Sequence, residues 1–374
     1  VLFASVIGHA TLKAKLIGNI REGRVAHAQL FIGPRGSGDL PLALAYAQYL
    51  LCQAPDAADA CGVCDDCRQA VKLEHPDLHL IFPIYFEDKK PRTCDHLTPA
   101  WRAAVLSEPY LDLDRWRDHL SGGNKQLRMG VGIAQEIQSR LSMKSFRGGY
   151  KVIVVWQPEL MDVQAANKLL KVLEEPMPNT VFLMVCNEPD QLLSTILSRT
   201  QSVKVPALKP GEVAEVLRVE NPELSAEEAM SIALRSEGDL LEARSLVQQG
   251  EEELFVFFRD WLRACYTGAV PTAAAFSEGF HGMSRDKQKA LMQYGLYIMR
   301  QCMFHWQGAH ELVRTVGQEH EFVEKFAPLL SLESISGLRV ELETAHVHIE
   351  RNAHSKVLFM DLSYRLMALF KKAR

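Results

Sequence analysis

Apolar residues along the chain fall into two kinds of run. Short, nearly continuous runs occupy 28–32 (Ala-Gln-Leu-Phe-Ile), 78–82, 151–155 (Lys-Val-Ile-Val-Val), 180–185 and 201–205. The third is β-branched at almost every position, as a strand covered on both faces requires. Longer apolar-rich stretches lie between them: Leu40 to Cys52, a run beginning near Val131, and the run from Leu160 toward Pro176. In the last of these Val163, Ala166, Leu170 and Leu173 step by three or four, the spacing of a helix. Strands alternating with helices predict a parallel α/β sheet over residues 1–206. After Pro206 the pattern changes. Lys209-Pro210-Gly211 punctuates the chain, and residues 212–249 carry only helical patterns, broken at Asn221-Pro222 and Glu237-Gly238. A small three-helix domain over 207–249 is expected, followed by an all-α domain over 250–374. Leu358, Leu362, Leu366 and Leu369 mark one stripe of the final helix. Residues 84–127 break the alternation with Glu87-Asp88-Lys89-Lys90-Pro91-Arg92, two short helix-like pieces rich in Trp, Asp and Arg, and Gly122-Gly123. They read as an insertion.

Composition narrows this little. The 374 residues suit two or three domains, and 47% hydrophobic with 24% charged residues describes a folded chain, not a disordered one. No apolar run approaches the ~18 residues that span a bilayer, so no membrane partner is expected. The opening Val-Leu-Phe-Ala-Ser-Val-Ile-Gly-His has no basic stretch leading into a long apolar one, so no secretory signal is expected. A net charge of −4 means that any contact with nucleic acid must be local.

The cysteines add chemistry. Cys52, Cys61, Cys64 and Cys67 follow C-x8-C-x2-C-x2-C, in which two-residue gaps let neighbouring thiolates converge on one ion. Four thiolates around Zn²⁺ close a tetrahedral shell with no position left for water, so the site reads as structural. Ordinary reduced cysteines are the alternative. A metal site in place of a disulfide framework points to a reducing, cytoplasmic setting. The module contains aspartates and no Lys or Arg, so it lacks the means to bind phosphate directly. Cys94, Cys186, Cys265 and Cys302 stand apart and read as small buried hydrophobes.

Gly33-Pro34-Arg35-Gly36-Ser37-Gly38 follows a strand and opens a helix, the setting of a phosphate loop. A working loop continues with Lys for the β/γ-phosphates and Ser/Thr for Mg²⁺. Here those positions are Asp39 and Leu40. Asp39 places a carboxylate beside any triphosphate and already complements the helix N-terminus that should attract the anion. Leu40 cannot ligate a metal.

Four blocks, in order, carry a family resemblance: His27 to Gly38, Cys61-Gly-Val-Cys-Asp-Asp-Cys67, Asn167-Lys-Leu-Leu-Lys-Val-Leu-Glu-Glu-Pro176 and Ser194-Thr-Ile-Leu-Ser-Arg199. Together they make the chain resemble the bacterial DNA polymerase III clamp-loader subunits, most of all the delta-prime branch, AAA+ proteins without ATPase activity. The resemblance implies a P-loop NTPase-like AAA+ core, a helical lid and an all-α collar that holds the subunit in its ring. It implies zinc at the four cysteines. After the strand 151–155 an active relative has Asp and Glu; this chain has Trp156 and Gln157, neither able to hold Mg²⁺ as a carboxylate does or to activate water. A polar sensor aligns with Asn187, still able to meet a phosphate, and a sensor arginine is replaced by Leu241. Ser198-Arg199-Thr200 matches a Ser-Arg-Cys motif whose arginine enters a neighbouring subunit's ATP site.

The implied function is a non-hydrolysing loader subunit. Its partners are gamma/tau-type and delta-type subunits, with the sliding clamp and primer-template DNA met through the complex. Any polymerase activity belongs to the holoenzyme. Two alternatives are an ATP-hydrolysing gamma/tau-type subunit and a zinc-dependent DNA-binding protein. Lys168 and Lys171 are candidates to meet phosphate, against a plain solvated face. Glu174-Glu175 and the histidines carry no assigned chemistry.

Overall fold

The computed structural model describes the chain except residues 86–92, 121–125, 143, 250, 352 and 374. The charged run 87–92 and Gly122-Gly123 therefore lie outside the described residues. Five parallel strands form one sheet: β1 (Ala28–Ile32), β2 (Leu78–Ile81), β3 (Lys151–Trp156), β4 (Thr180–Cys186) and β5 (Gln201–Lys204), in the spatial order β2-β3-β4-β1-β5. Every residue of β3 and β4 is buried, as their unbroken apolar sequence requires. Lys151 fits such a strand because its Nζ donates to the Arg140 carbonyl at 3.0 Å. The register pairs Leu30 with Met184 on one side of β1 and with Ser202 on the other.

Helices α1 (Ala10–Arg21), α2 (Asp39–Leu51), α3 (Asp65–Val71), α4 (Thr98–Ser107), α5 (Leu113–His119), α6 (Val131–Ser142), α7 (Val163–Glu174) and the single turn α8 (Ser194–Leu197) accompany the strands. Helix α2 is buried along its whole length and packs on β1, β3 and β4. Helix α7 starts where Asp162 accepts from the Ala165 amide at 2.7 Å, and it ends just before Pro176.

The expected insertion is built into the core of the sheet. Trp101 of α4 and Trp116 of α5 are fully buried against Phe82, at ring separations of 5.0 and 5.4 Å. Trp116 Nε1 donates to the Pro83 carbonyl at 2.8 Å. Trp101 also meets Trp156, at 6.3 Å.

The helices beyond the sheet are α9 (Pro210–Glu220), α10 (Ala226–Arg235), α11 (Leu240–Gln249), α12 (Glu251–Thr267), α13 (Val270–Gly282), α14 (Arg285–Trp306), α15 (Gly317–Phe326), α16 (Leu332–Glu350) and α17 (Ser355–Ala373). Ser225 and Glu228 form a reciprocal capping box at the start of α10. The second core is aromatic: Phe280 stacks on Phe359 at 4.2 Å, and Trp261 donates to Ser363 Oγ at 2.9 Å. On α17 the buried stripe is Phe359, Leu362, Leu366 and Phe370. The expected stripe was turned slightly: Leu358 and Leu369 only flank it, because the larger phenylalanines take the central positions.

Contacts group the chain into two units, residues 1–212 with 238–241, and residues 213–237 with 242–374. No helix among the described residues is long and apolar enough to cross a membrane.

Candidate functional site

The glycine-rich loop leaves the carboxyl end of β1. The chain departs from β1 toward one edge of the sheet and comes back on its other side as β5, so this end is the switch point where α/β sheets bind ligands. Gly36 and Gly38 adopt φ of 70° and 90°, the left-handed region open to glycine. A loop so bent usually turns its amides toward an anion.

Here other side chains of the same unit press close on the loop. A Cβ on Gly38 would lie 2.9 Å from the Tyr110 ring, and one on Gly36 would overlap the Asp239 carboxylate. Arg35, inside the loop, donates to Asp112 at 2.7 Å and to Asp239 at 2.9 Å. Tyr110 and Asp112 belong to the insertion, and Tyr110 OH also accepts from the Ile7 amide at 2.9 Å. Neither was marked by the sequence as part of this site. Their distance along the chain hides them, and so does the absence of any motif around them.

Asp39 is the first residue of α2 and is buried. It accepts from the Leu40 amide at 2.8 Å and from Asn187 Nδ2 at 2.7 Å. Burial pushes its carboxyl up to about 7, against the lowering effect of the two hydrogen bonds; nearby Glu159 adds to the rise. Asn187 Nδ2 also donates to the Gly33 carbonyl at 2.8 Å, and its Oδ1 accepts from Gln157. The polar sensor position is therefore engaged within the chain. Leu40, Trp156 and Leu241 are buried, and Gln157 takes a left-handed backbone with φ of 59°. Glu159, which the sequence did not single out, accepts from the Asn187 and Glu188 amides at 2.9 and 3.1 Å.

The four cysteines come together as expected. The sulfurs of Cys52, Cys61, Cys64 and Cys67 all lie within 4.8 Å of one another. Amides point at them: Cys61 N to Cys52 Sγ at 3.3 Å, Cys64 N to Cys61 Sγ at 3.4 Å, and Cys67 N to Cys64 Sγ at 3.4 Å. The last bond also caps α3. Amides donated to sulfur favour thiolate, the form that binds metal. Those from Val63 and Cys64 bring Cys61 down to about 6, whereas burial raises Cys67. Soft donors in a tight set of four fit Zn²⁺. Two of the aspartates beside them are tied into the fold. Asp59 accepts from the Phe3 and Ala4 amides, and Asp66 meets Gln53, His75 and Arg147. Cys94, Cys186, Cys265 and Cys302 are buried and apart from the cluster.

Arg199 lies in the short turn between α8 and β5. It donates to the Thr195 carbonyl at 3.0 Å, reaches Ser198 Oγ at 3.4 Å, and pairs with Glu174 Oε1 at 2.5 Å. Thr200, at the position of the expected cysteine, turns its hydroxyl to the Ile196 carbonyl at 3.1 Å. Lys168 is half-buried on α7 and Lys171 exposed.

Residues 8–209 match the family model described as "DNA polymerase III, delta subunit". DNA polymerase III subunit delta' of Pseudomonas aeruginosa is 34% identical over 230 residues, 61% of this chain and 58% of that protein. The Escherichia coli subunit delta' is 31% identical over 185 residues, covering 50% and 44%. DNA polymerase III subunit tau of Escherichia coli is 27% identical over 251 residues, covering 66% and 32%. The chain thus spans about half the length of the delta' relatives it matches. Since the family model takes in more than half of its residues, the chain belongs to the DNA polymerase III delta-subunit family.

Proposed function

We propose that this chain is a non-hydrolysing subunit of the DNA polymerase III clamp loader, in the delta-prime role. The observation that carries the reading is Asp39, a buried carboxyl at the helix N-terminus where a phosphate would bind. Around it lysine, hydroxyl and both acidic residues are missing, Asn187 is engaged, and Tyr110, Asp112 and Asp239 crowd the loop. A triphosphate would meet the buried carboxyl of Asp39 where a working loop offers lysine, and an Arg35 already paired with Asp112 and Asp239.

The useful group is then Arg199, presented to the ATP of a neighbouring gamma/tau-type subunit. There a guanidinium neutralises charge growing on the transferring phosphoryl, an effect worth about 10³–10⁵ in rate in other phosphoryl-transfer systems. Ser198 and the Thr195 carbonyl orient it. Residues 1–206 serve as the AAA+ core, 207–249 as the lid and 250–374 as the collar that assembles with gamma/tau-type and delta-type subunits. Clamp and primed DNA are met through the complex, in the cytoplasm. Zinc on Cys52, Cys61, Cys64 and Cys67 supplies a structural cross-link and no catalysis.

The test is a loader reconstituted with Arg199→Ala. ATP hydrolysis is expected to fall, while the purified wild-type chain alone turns over no ATP. Unchanged hydrolysis in the variant complex would falsify the finger assignment. Turnover by the isolated chain would favour the gamma/tau reading.

A further inference from the structure

Arg199 already has an anionic partner in its own chain. One terminal nitrogen meets Glu174 Oε1 at 2.5 Å, while the other is held by the Thr195 carbonyl. Glu174 is the last residue of α7, so the pair joins the end of that helix to the turn before β5. Both side chains are partly open to water, at 35% for Arg199 and 48% for Glu174.

The two states of this arginine exclude each other. A finger acts by bringing uncompensated positive charge to phosphoryl oxygens. A carboxylate in contact with the guanidinium cancels most of that charge and repels the incoming triphosphate. We propose that Glu174 is a positioning residue that parks Arg199 against its own subunit and gives it up when a neighbour's ATP arrives. The proposal rests on the finger reading above and adds its control. Arg199 exchanges one anionic partner for another, so its charge is never stranded. The half-exposed pair is weak enough to open, and holding the finger back lowers apparent ATP affinity by only about two- to fivefold.

The experiment uses the full chain in a loader reconstituted with gamma/tau-type and delta-type subunits, following hydrolysis against ATP concentration. Glu174→Gln is expected to lower half-saturating ATP by about two- to fivefold with kcat unchanged, because only the engagement step is eased. Glu174→Asp should return toward wild type, and Glu175→Gln, the same charge loss one residue away, should have no effect. The gap between wild type and Glu174→Gln should also shrink as salt screens the pair. A Glu174→Gln loader identical to wild type overturns the proposal. So does one whose kcat falls as in Arg199→Ala, since Glu174 would then brace the finger, or a Glu175→Gln loader that behaves like Glu174→Gln. If Arg199→Ala itself leaves hydrolysis unchanged, the finger reading is what fails.

Discussion

Asp39 has a distinct pH signature. Its carboxyl is raised from an ordinary value of 3.8 to about 7, mainly by burial. Between those values the folded protein holds a proton that the unfolded chain has released. Stability from this group is therefore complete below pH 4 and disappears as pH rises through 7. Asp39→Asn removes the titration while keeping the shape and an oxygen for the Leu40 amide. From pH 5 to pH 8 the stability difference should move in the variant's favour by about 2–3 kcal/mol. Denaturant midpoints of the two proteins at both pH values check this; a constant difference would mean that Asp39 does not titrate in the folded protein. The same residue explains why mending the loop with one lysine is not expected to restore nucleotide binding. Asn187, Gln157 and Gly33 are arranged around a carboxyl, and Trp156 is packed on Trp101.

At the scale of elements, two pieces join parts of the chain that are far apart in sequence. The insertion is anchored by Trp101, buried between Phe82 and Trp156. Trp101→Ala should cost about 3–5 kcal/mol in denaturant unfolding, the range for deleting a buried aromatic; a loss below about 1 kcal/mol would show that the insertion folds independently of the sheet. The cysteine module anchors the chain start through Asp59 and the Phe3 and Ala4 amides. Chelation should therefore raise amide exchange across residues 52–67 and also at Phe3 and Ala4, leaving β3 and β4 protected. Protection unchanged at all of these would argue against a bound metal. The sequence revealed all five strands to within a residue, because buried strands leave continuous apolar runs, and it revealed that Cys52, Cys61, Cys64 and Cys67 cluster, because their spacing is local. It did not reveal that Tyr110, Asp112 and Asp239 reach the glycine loop, or that Glu174 holds Arg199. Such contacts depend on how distant segments pack, and no periodicity records that. On α17 the leucine spacing marks the buried face to within one position, but Phe359 and Phe370 take the central places from Leu358 and Leu369 beside them.

For the molecule as a whole, charge decides how it can meet DNA. The net charge is −4, and the cysteine module carries aspartates without a single Lys or Arg. The candidate phosphate contacts, Lys168 and Lys171, lie one turn apart on α7, and two cations displace few counterions. Each phosphate neutralised contributes about 0.9 to the slope of log affinity against log salt, so one or two contacts give shallow, weak binding. The isolated chain should therefore show no binding to primed DNA at micromolar protein and about 0.15 M salt, where non-specific binders have Kd values near 10⁻⁴–10⁻⁶ M. Lys168→Ala with Lys171→Ala should change that result little. A fluorescence anisotropy titration over a salt series distinguishes the possibilities. Micromolar binding with a slope of several units, abolished by a chelator, would place the chain with zinc-dependent DNA-binding proteins and detach its cysteine module from a purely structural role. Flat anisotropy at every salt concentration, together with co-purification with gamma/tau-type and delta-type subunits, is what a chain that reaches DNA only through its assembly should give.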